Sequence, residues 1–546
     1  MLYIVNVIMS AKKWLLAILV FAFLARIVSV AYGLPLWLVD DEPPFTLAAL
    51  KMLQLKTLIP ASQLADFKTV LYYPPHLSYL YLPFFAVLVA IKFLFYGGPS
   101  ALFASFLLTD LSWFYVIART INVVLATLSV FLIYKITETV LQDRRPALLA
   151  AFFVSTSLIH IALSIVSRHW LSVFFFTALV LYWLSRPNLS EKQRYFGAIF
   201  SAGIGVGFAI INLLLAPLIA FWYLIYEKKP VLAAFKEKFF YKLYAMFAAL
   251  AALPYILYPA SLGFSADTTA GATKTIFGAI TSPIFFAKTI AISEFVLIAF
   301  AILGLVFTFK NNRRIFWTFA AFIYSYSIIF YLVFRFEPRF FMGLLPFYAI
   351  LAGYGFYEIQ KMLPSPVPQK IFLLVLLIPL AFVLRLDWLA IQNDSRTLAR
   401  EWAEENLPSG TKIMVLARLT RFSTNKDAVS EQEKISASSL RKVDRADAEL
   451  GNLNFHTLNL FDASNQSFYE NVESYIKQNH YEYLVIQPDY KNSQYFKGVM
   501  AHSELLKTFG SGEAAMSIAE SQFLKSPAAL FQIKELGPEI KVYKLK

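Results

Sequence analysis

Runs of mostly apolar residues recur from residue 14 to about residue 386, separated by short connectors rich in Lys and Arg. A helix crossing the hydrocarbon core needs about 20 such residues. No soluble core would accommodate so many. With 58% hydrophobic and 15% charged residues, the chain reads as a polytopic α-helical membrane protein. The first run covers 14–34, and later ones lie roughly at 113–135, 147–166, 170–185, 195–211, 213–226, 243–258, 288–309, 315–333, 340–358 and 370–386. Net charge is +14, but the basic residues gather in the connectors, where topology and anionic headgroups explain them, so no nucleic-acid partner is expected. With no Cys, the chain has neither a disulfide nor a thiolate metal site.

Charge sets the orientation. Lys12 and Lys13 place the N-terminus in the cytoplasm, so the first run exits near Leu34 and the loop 35–112 is outside. The basic connectors at 143–145, 186–194, 227–229, 310–314 and 361–370 all face the cytoplasm only if the run 113–135 passes from outside to inside. That parity leaves no crossing for the apolar segment 77–96. It is therefore expected to lie at the outer interface or to re-enter, with Pro83 and Lys92 interrupting its apolar character. About eleven transmembrane helices result, N-terminus in and C-terminus out, in an integral multi-pass protein of the plasma membrane. Gly203, Gly205 and Gly207 predict close helix packing where two short spans meet at Asn212.

Near residue 387 the composition becomes that of a soluble protein. This divides the chain into a transmembrane domain, 1–386, and a small extracytoplasmic α/β domain, 387–546. SRTLAREWAEENLPSG reads as a helix opened by Asp394 or Ser395. KIMVLA, YEYLVIQ and EIKVYKL read as strands and NVESYIKQN as a helix, while part of the polar stretch 420–450 reads as a mobile loop.

Acids and cations then share the outer face. Asp40, Asp41 and Glu42 follow the first run; because Pro43 and Pro44 suit a first helical turn, these carboxylates also fit a helix cap. In the helix that follows, Phe45, Ala48, Ala49, Met52 and Leu53 recur at helical spacing and can lie on lipid. Tyr72-Tyr73-Pro74-Pro75-His76 is a stiff return toward the membrane. Ser167-Arg168-His169 and Phe334-Arg335-Phe336-Glu337-Pro338-Arg339 sit on the same side. Arg26 lies within the first span, where a charge costs at least about 2.5 kcal/mol unless it meets a polar cavity, so it is expected to point into the same site.

This set suits transfer from a lipid phosphate. Arg339, Arg335, Arg168 and Arg26 are the candidates for binding the phosphate and stabilising it as it leaves. Asp41 or a neighbour would take the proton of an acceptor hydroxyl. Any one of these Arg residues alone also fits a side chain snorkelling to the headgroups. Tyr73, His76, His169 and Glu337 complete the face as substrate-binding candidates. The six His residues show no ligand spacing, and neither a metal nor another cofactor is required.

With these residues in place, the chain resembles the GT-C glycosyltransferases, in the branch of the protein O-mannosyltransferases and the bacterial lipid A aminoarabinose transferase. The resemblance covers roughly 14–400. It is carried by Asp41-Glu42, Tyr73-Pro74-Pro75, Ala118-Arg119 at the opening of the second span, Ser167-Arg168, Arg339-Phe-Phe-Met-Gly-Leu-Leu-Pro346 and the closing SRTLAREWAEENLPSGTKI. It implies inverting transfer of a single sugar from a polyprenyl-phosphate-linked donor to an extracytoplasmic acceptor: a protein, a lipid or a cell-envelope glycan. It implies Asp41 as the base, with Glu42 supporting and Asp40 as an alternate, and Arg339 at the donor phosphate. Many relatives carry a second acid just after the Ser-Arg pair, whereas this chain reads Ser167-Arg168-His169-Trp170-Leu171-Ser172. The oligosaccharyltransferases share the architecture, but their Trp-Trp-Asp-Tyr-Gly signature is absent.

Two other readings stay open. A lipid or polysaccharide transporter or flippase would place ionisable residues at the bilayer midplane, between discontinuous helices. An inactive, glycosyltransferase-derived envelope assembly protein is compatible with the missing second acid.

Overall fold

The computed structural model describes residues 11–36, 38–39, 41–231, 238–265, 274–333, 336–364, 366–451, 455–461, 463, 465–511, 518 and 524–546. Two site candidates, Asp40 and Arg335, lie outside the described residues.

Five of the described helices are long and apolar enough to cross a membrane: His76–Leu94, Ser112–Leu141, Lys238–Leu257, Arg313–Val333 and Val367–Asn406, the last taken through its breaks. Arg144–Ser155 and Leu158–Ser164 make a sixth if that pair, bent by 56°, is one span. The bend has a local cause. Ser157 accepts the His160 amide (3.4 Å) and so opens a new helix within what the sequence reads as one continuous run. Shorter helices, among them Trp170–Ser185 and Phe295–Asn311, fill other apolar runs. The expected span at 288–309 is displaced. Its helix is Phe295–Asn311, and a separate helix, Ile276–Lys288, precedes it, opened by the Thr275 hydroxyl accepting from the Gly278 amide (3.0 Å).

Glycine sets the closest helix approach. Gly304 lies against the Leu351 carbonyl and Gly355 against that of Phe300, so the Phe295–Asn311 and Leu345–Met362 helices meet where a Cβ would clash with backbone. Gly203, Gly205 and Gly207 face Leu250, Phe176 and His76, in keeping with the close packing that their spacing predicts.

The His76–Leu94 helix runs counter to the one beginning at Ser112. Tyr81 bonds Asn122 (3.3 Å), while Phe85 meets Phe114 with ring centroids 5.1 Å apart. Leu94 therefore lies toward the Ser112 end of that helix, not toward Leu141. The next helix, Phe103–Thr109, docks on Lys442–Leu450 through Ser105 and Glu449.

Beyond Asp394, whose carboxylate accepts the Arg396 amide (3.0 Å) and caps Ser395–Asn406, a five-stranded sheet forms. Its order is β2-β1-β3-β5-β4, with β1 Lys412–Leu416, β2 His456–Asn459, β3 Tyr483–Ile486, β4 Glu504–Phe509 and β5 Ile540–Lys544. β1 is parallel to β2 and β3; β5 is antiparallel to β3 and β4. β1, β3 and β5 fall on the three apolar segments read as strands, and Val472–Asn479 is the helix read between them. The stretch read partly as a mobile loop instead contains two helices, Lys426–Ser436 and Lys442–Leu450. Arg421 holds the second by pairing with Asp444 (2.7 Å) and Asp447.

Candidate active site

Glu42 does not cap the helix that follows it. Pro43–Leu55 begins with proline, and Glu42, at its N-cap position, makes no side-chain capping bond. Its carboxylate turns into the bundle. There Arg119 donates from Nε (2.8 Å) and Nη2 (2.6 Å) to the two Glu42 oxygens, and both side chains are fully buried. Nη1 of Arg119 donates to the carbonyls of Val30 and Tyr32 (2.7 Å each), and the Ser167 amide donates to Glu42 Oε1 (2.5 Å). One buried ion pair thus clamps three segments: the turns after the first helix, the loop carrying Asp41, and the loop carrying Arg168.

Asp41, one residue earlier, faces the other way. It is 41% exposed and bonds Arg168; Arg339 lies 3.5 Å from the same oxygen. Glu337 holds Arg339 Nε at 2.7 Å. The guanidinium of Arg339 rests over the rings of Trp170 (5.8 Å) and Phe340 (5.4 Å), which fix its height above the bundle. Behind the acids an aromatic wall forms: Phe45 stacks on Tyr73 (5.0 Å), Tyr73 meets His169 (4.6 Å), and His169 meets Trp170 (4.4 Å). Asn122 secures the loop by donating to the Val166 carbonyl (2.7 Å).

The cluster controls its own protonation. Burial, then the charges of Arg168 and Arg339, hold the His169 ring well below the usual histidine range, so it is neutral at pH 7. Burial, then Asp41, push the Tyr73 hydroxyl up to about 12 against the pull of the two arginines. Burial and the neighbouring Arg168 lower Arg339 from its ordinary value. Four successive residues also present buried polar atoms without a protein partner among the described residues: Ser167 Oγ, Arg168 Nε, His169 Nδ1 and Trp170 Nε1. Buried polar groups are normally satisfied, so a run of four beside two cations is a place where a ligand's oxygens would fit.

Of the sequence candidates, Asp41, Arg168, Arg339, Glu337, Tyr73 and His169 come together. Glu42 adjoins them but is sealed from any substrate. His76 packs against Tyr79 (6.0 Å) and Phe208 (5.9 Å), and its amide donates to Gly207. Arg26 is engaged elsewhere: it donates to the carbonyls of Ala22 (2.8 Å), Val154 (3.2 Å) and Ser155 (3.3 Å) and meets His160 Nδ1 (2.9 Å). In place of the expected cavity it meets the buried carbonyls at the break of the bent helix pair. Sequence reasoning assigned no role to Arg119, although an arginine early in an apolar helix calls for a buried acid as partner. It also missed Tyr32, whose hydroxyl donates to Asp394 (2.7 Å) and ties the first loop to the start of the α/β region. Among the described residues, no three His, Asp or Glu side chains converge as a metal site.

No protein-family model matches the sequence, and no curated protein matches it. Solved structures of membrane glycosyltransferases match over most of this chain, each with a TM-score below 0.5. ArnT from Cupriavidus metallidurans in the apo state is 10% identical, with a TM-score of 0.49 over 91% of this chain and 97% of that one. The archaeal oligosaccharyltransferase AglB from Archaeoglobus fulgidus, in complex with an inhibitory peptide and a dolichol-phosphate, is 15% identical, with a TM-score of 0.45 over 87% and 69%. The arabinofuranosyltransferase AftD from Mycobacteria is 14% identical, with a TM-score of 0.46 over 98% of this chain and 40% of that one.

Proposed function

We propose that this chain is a membrane glycosyltransferase that moves one sugar from a polyprenyl-phosphate donor to an acceptor outside the cytoplasm, with inversion at the anomeric carbon. The observation that carries this reading is a half-exposed carboxylate, Asp41, set between two arginines against an aromatic wall.

The donor phosphate competes with Asp41 for Arg168 and Arg339. Once it takes their charge, the carboxylate is free to accept a proton. The acceptor oxygen attacks the anomeric carbon, its proton passes to Asp41, the bond from sugar to phosphate breaks, and polyprenyl phosphate leaves with its added negative charge on the two guanidinium groups. The unpartnered polar atoms at 167–170 and the Tyr73 face would hold the sugar. In this scheme the arginines meet the phosphate charge, and no metal is assigned a step.

The test is release of polyprenyl phosphate by protein reconstituted in liposomes with polyprenyl-phosphate sugars and cell-envelope acceptors. Failure with every such donor, by protein that still binds polyprenyl phosphate, would favour the assembly-protein reading.

The membrane placement belongs to the same proposal: about eleven crossings, N-terminus in, with Asp41 and the sheet outside. The His76–Leu94 helix is itself long and apolar enough to cross, so the position of 77–96 rests on the charge parity of the connectors. Because the protein has no native Cys, a cysteine at position 98 gives an unambiguous check. It should react with an impermeant maleimide added outside intact cells; reaction only after the inner face is exposed would make 77–96 a crossing and invert everything downstream.

A further inference from the structure

Described residues of the connection between β4 and β5 leave the sheet. Ile518, Leu524, Leu530, Ile533 and Leu536 are buried in the same apolar core as the membrane helices. From Phe531 to Lys534 the chain runs alongside the last apolar helix, Leu377–Ile391. Phe531 meets Phe382 with ring centroids 5.6 Å apart. Arg385 donates from Nε to the Leu530 carbonyl (2.8 Å) and from Nη2 to that of Ile533 (2.5 Å). Gln392, with its amide turned to suit both neighbours, donates to the Lys534 carbonyl (3.1 Å) and accepts from Trp388 Nε1 (2.6 Å).

These contacts fix a depth. Leu377–Ile391 belongs to the apolar stretch Val367–Asn406, which is long enough to cross a membrane, and Asp394 opens the helix that leads to the sheet. Trp388, 60% exposed, stands near the sheet end, where interfacial tryptophans lie. At a rise of about 1.5 Å per residue, Phe382 is about 9 Å farther from the sheet, within the roughly 15 Å of hydrocarbon that one leaflet supplies. Phe531 is held at that level. It is 54% exposed, whereas Leu530 and Ile533 are buried. A large apolar ring left open beside a span at that depth faces acyl chains, not water. Irregular backbone is tolerated there only where its polar groups are satisfied, and Arg385 satisfies two carbonyls. That also gives a reason for a cation within the last apolar helix.

We propose that residues 527–536 are a membrane anchor of the sheet: Phe531 inserts among the lipid acyl chains of the leaflet nearer the sheet, and Arg385 holds the segment there. The proposal concerns acyl chains alone and does not depend on sugar transfer. The anchor is tied to the sheet just before β5, where the Leu536 carbonyl accepts the Ser395 amide (2.9 Å) and the Pro538 carbonyl accepts the Ser395 hydroxyl (2.7 Å). The sheet is thus attached to the bilayer at two points, the end of the last span and this segment.

The chain has no native Cys, so Phe531→Cys carries a single nitrobenzoxadiazole label, with Lys477→Cys, on an exposed helix beside the sheet, as the aqueous reference. In proteoliposomes, phosphatidylcholine spin-labelled on its acyl chain should quench the label at 531 by at least about twofold and leave that at 477 unchanged, since only the first lies in hydrocarbon. Phosphatidylcholine spin-labelled at the headgroup should quench 531 less than the acyl-labelled lipid does. With Arg385→Met added, acyl-chain quenching at 531 should fall to the level seen at 477. Equal emission with and without the acyl spin label, or stronger quenching from the headgroup, would overturn the insertion; this comparison keeps Arg385 intact and stands whether or not the arginine variant folds. Acyl-chain quenching that Arg385→Met leaves unchanged would overturn the arginine tether.

Discussion

Asp41→Asn is expected to lower sugar transfer by about 10²–10⁴-fold while leaving the protein folded, the range that a positioned general base contributes. The carboxylate is 41% exposed and Arg339 keeps Glu337, while the buried Arg168 loses its ion-pair partner and keeps the asparagine side-chain oxygen as an acceptor. The two kinetic constants should separate. The asparagine side chain cannot take the acceptor proton, so kcat falls. It also no longer competes with the donor phosphate for Arg168 and Arg339, so the KM for the donor stays level or drops. If Asp41 served only to aim the arginines, the opposite pattern would appear: a raised donor KM with kcat largely kept. Asp41→Asn with full activity would remove the base assignment altogether.

The same separation explains what was legible in the sequence. Charge parity of the connectors puts residues near 41, 168 and 339 on one face without any contact information, and the structure brings Asp41, Arg168 and Arg339 within one cluster. What parity cannot resolve is direction within a few residues. Asp41 and Glu42 are chemically alike and adjacent, yet one is half-exposed and the other fully buried, because Arg119 stands on the bundle side of the loop. Arg26 misled for a related reason. A charge inside a span needs polar partners, and these turned out to be backbone carbonyls freed by the bend after Ser155, a break that apolar composition hides.

The α/β region failed differently. In Lys426–Ser436 the buried stripe is Ala428, Gln432 and Ile435, so its middle position reads as polar. Gln432 is nonetheless satisfied inside: its amide nitrogen donates to the Asn459 carbonyl, and its oxygen accepts the Asn459 amide (3.0 Å each). A side chain that completes the edge of β2 looks like a loop residue until the strand beside it is known. β4 carries mostly exposed residues, which deprives the sequence of the buried apolar run by which β1 and β3 are recognised and of the alternation that marks β5.

Arg119→Met is expected to be the most damaging single change to stability, by about 3–5 kcal/mol, because it strands the Glu42 carboxylate in the bundle with only the Ser167 amide to face it. Lysine is a poor substitute. A single ammonium cannot supply both the fork to Glu42 and the two bonds to Val30 and Tyr32. Glu42→Gln together with Arg119→Met removes both charges, so the double variant should be more stable than Arg119→Met alone, and a thermal-unfolding cycle in detergent would measure the coupling. Simple additivity of the two changes would refute the ion-pair account. Transfer should not recover with stability. The pair sets the spacing between the loop that bears Asp41 and the loop that bears Arg168, so a double variant that folds well should still turn over at least about tenfold more slowly, the sensitivity expected when reacting groups drift from alignment. Restored stability with restored rate would mean that the clamp holds the bundle together but does not position the site.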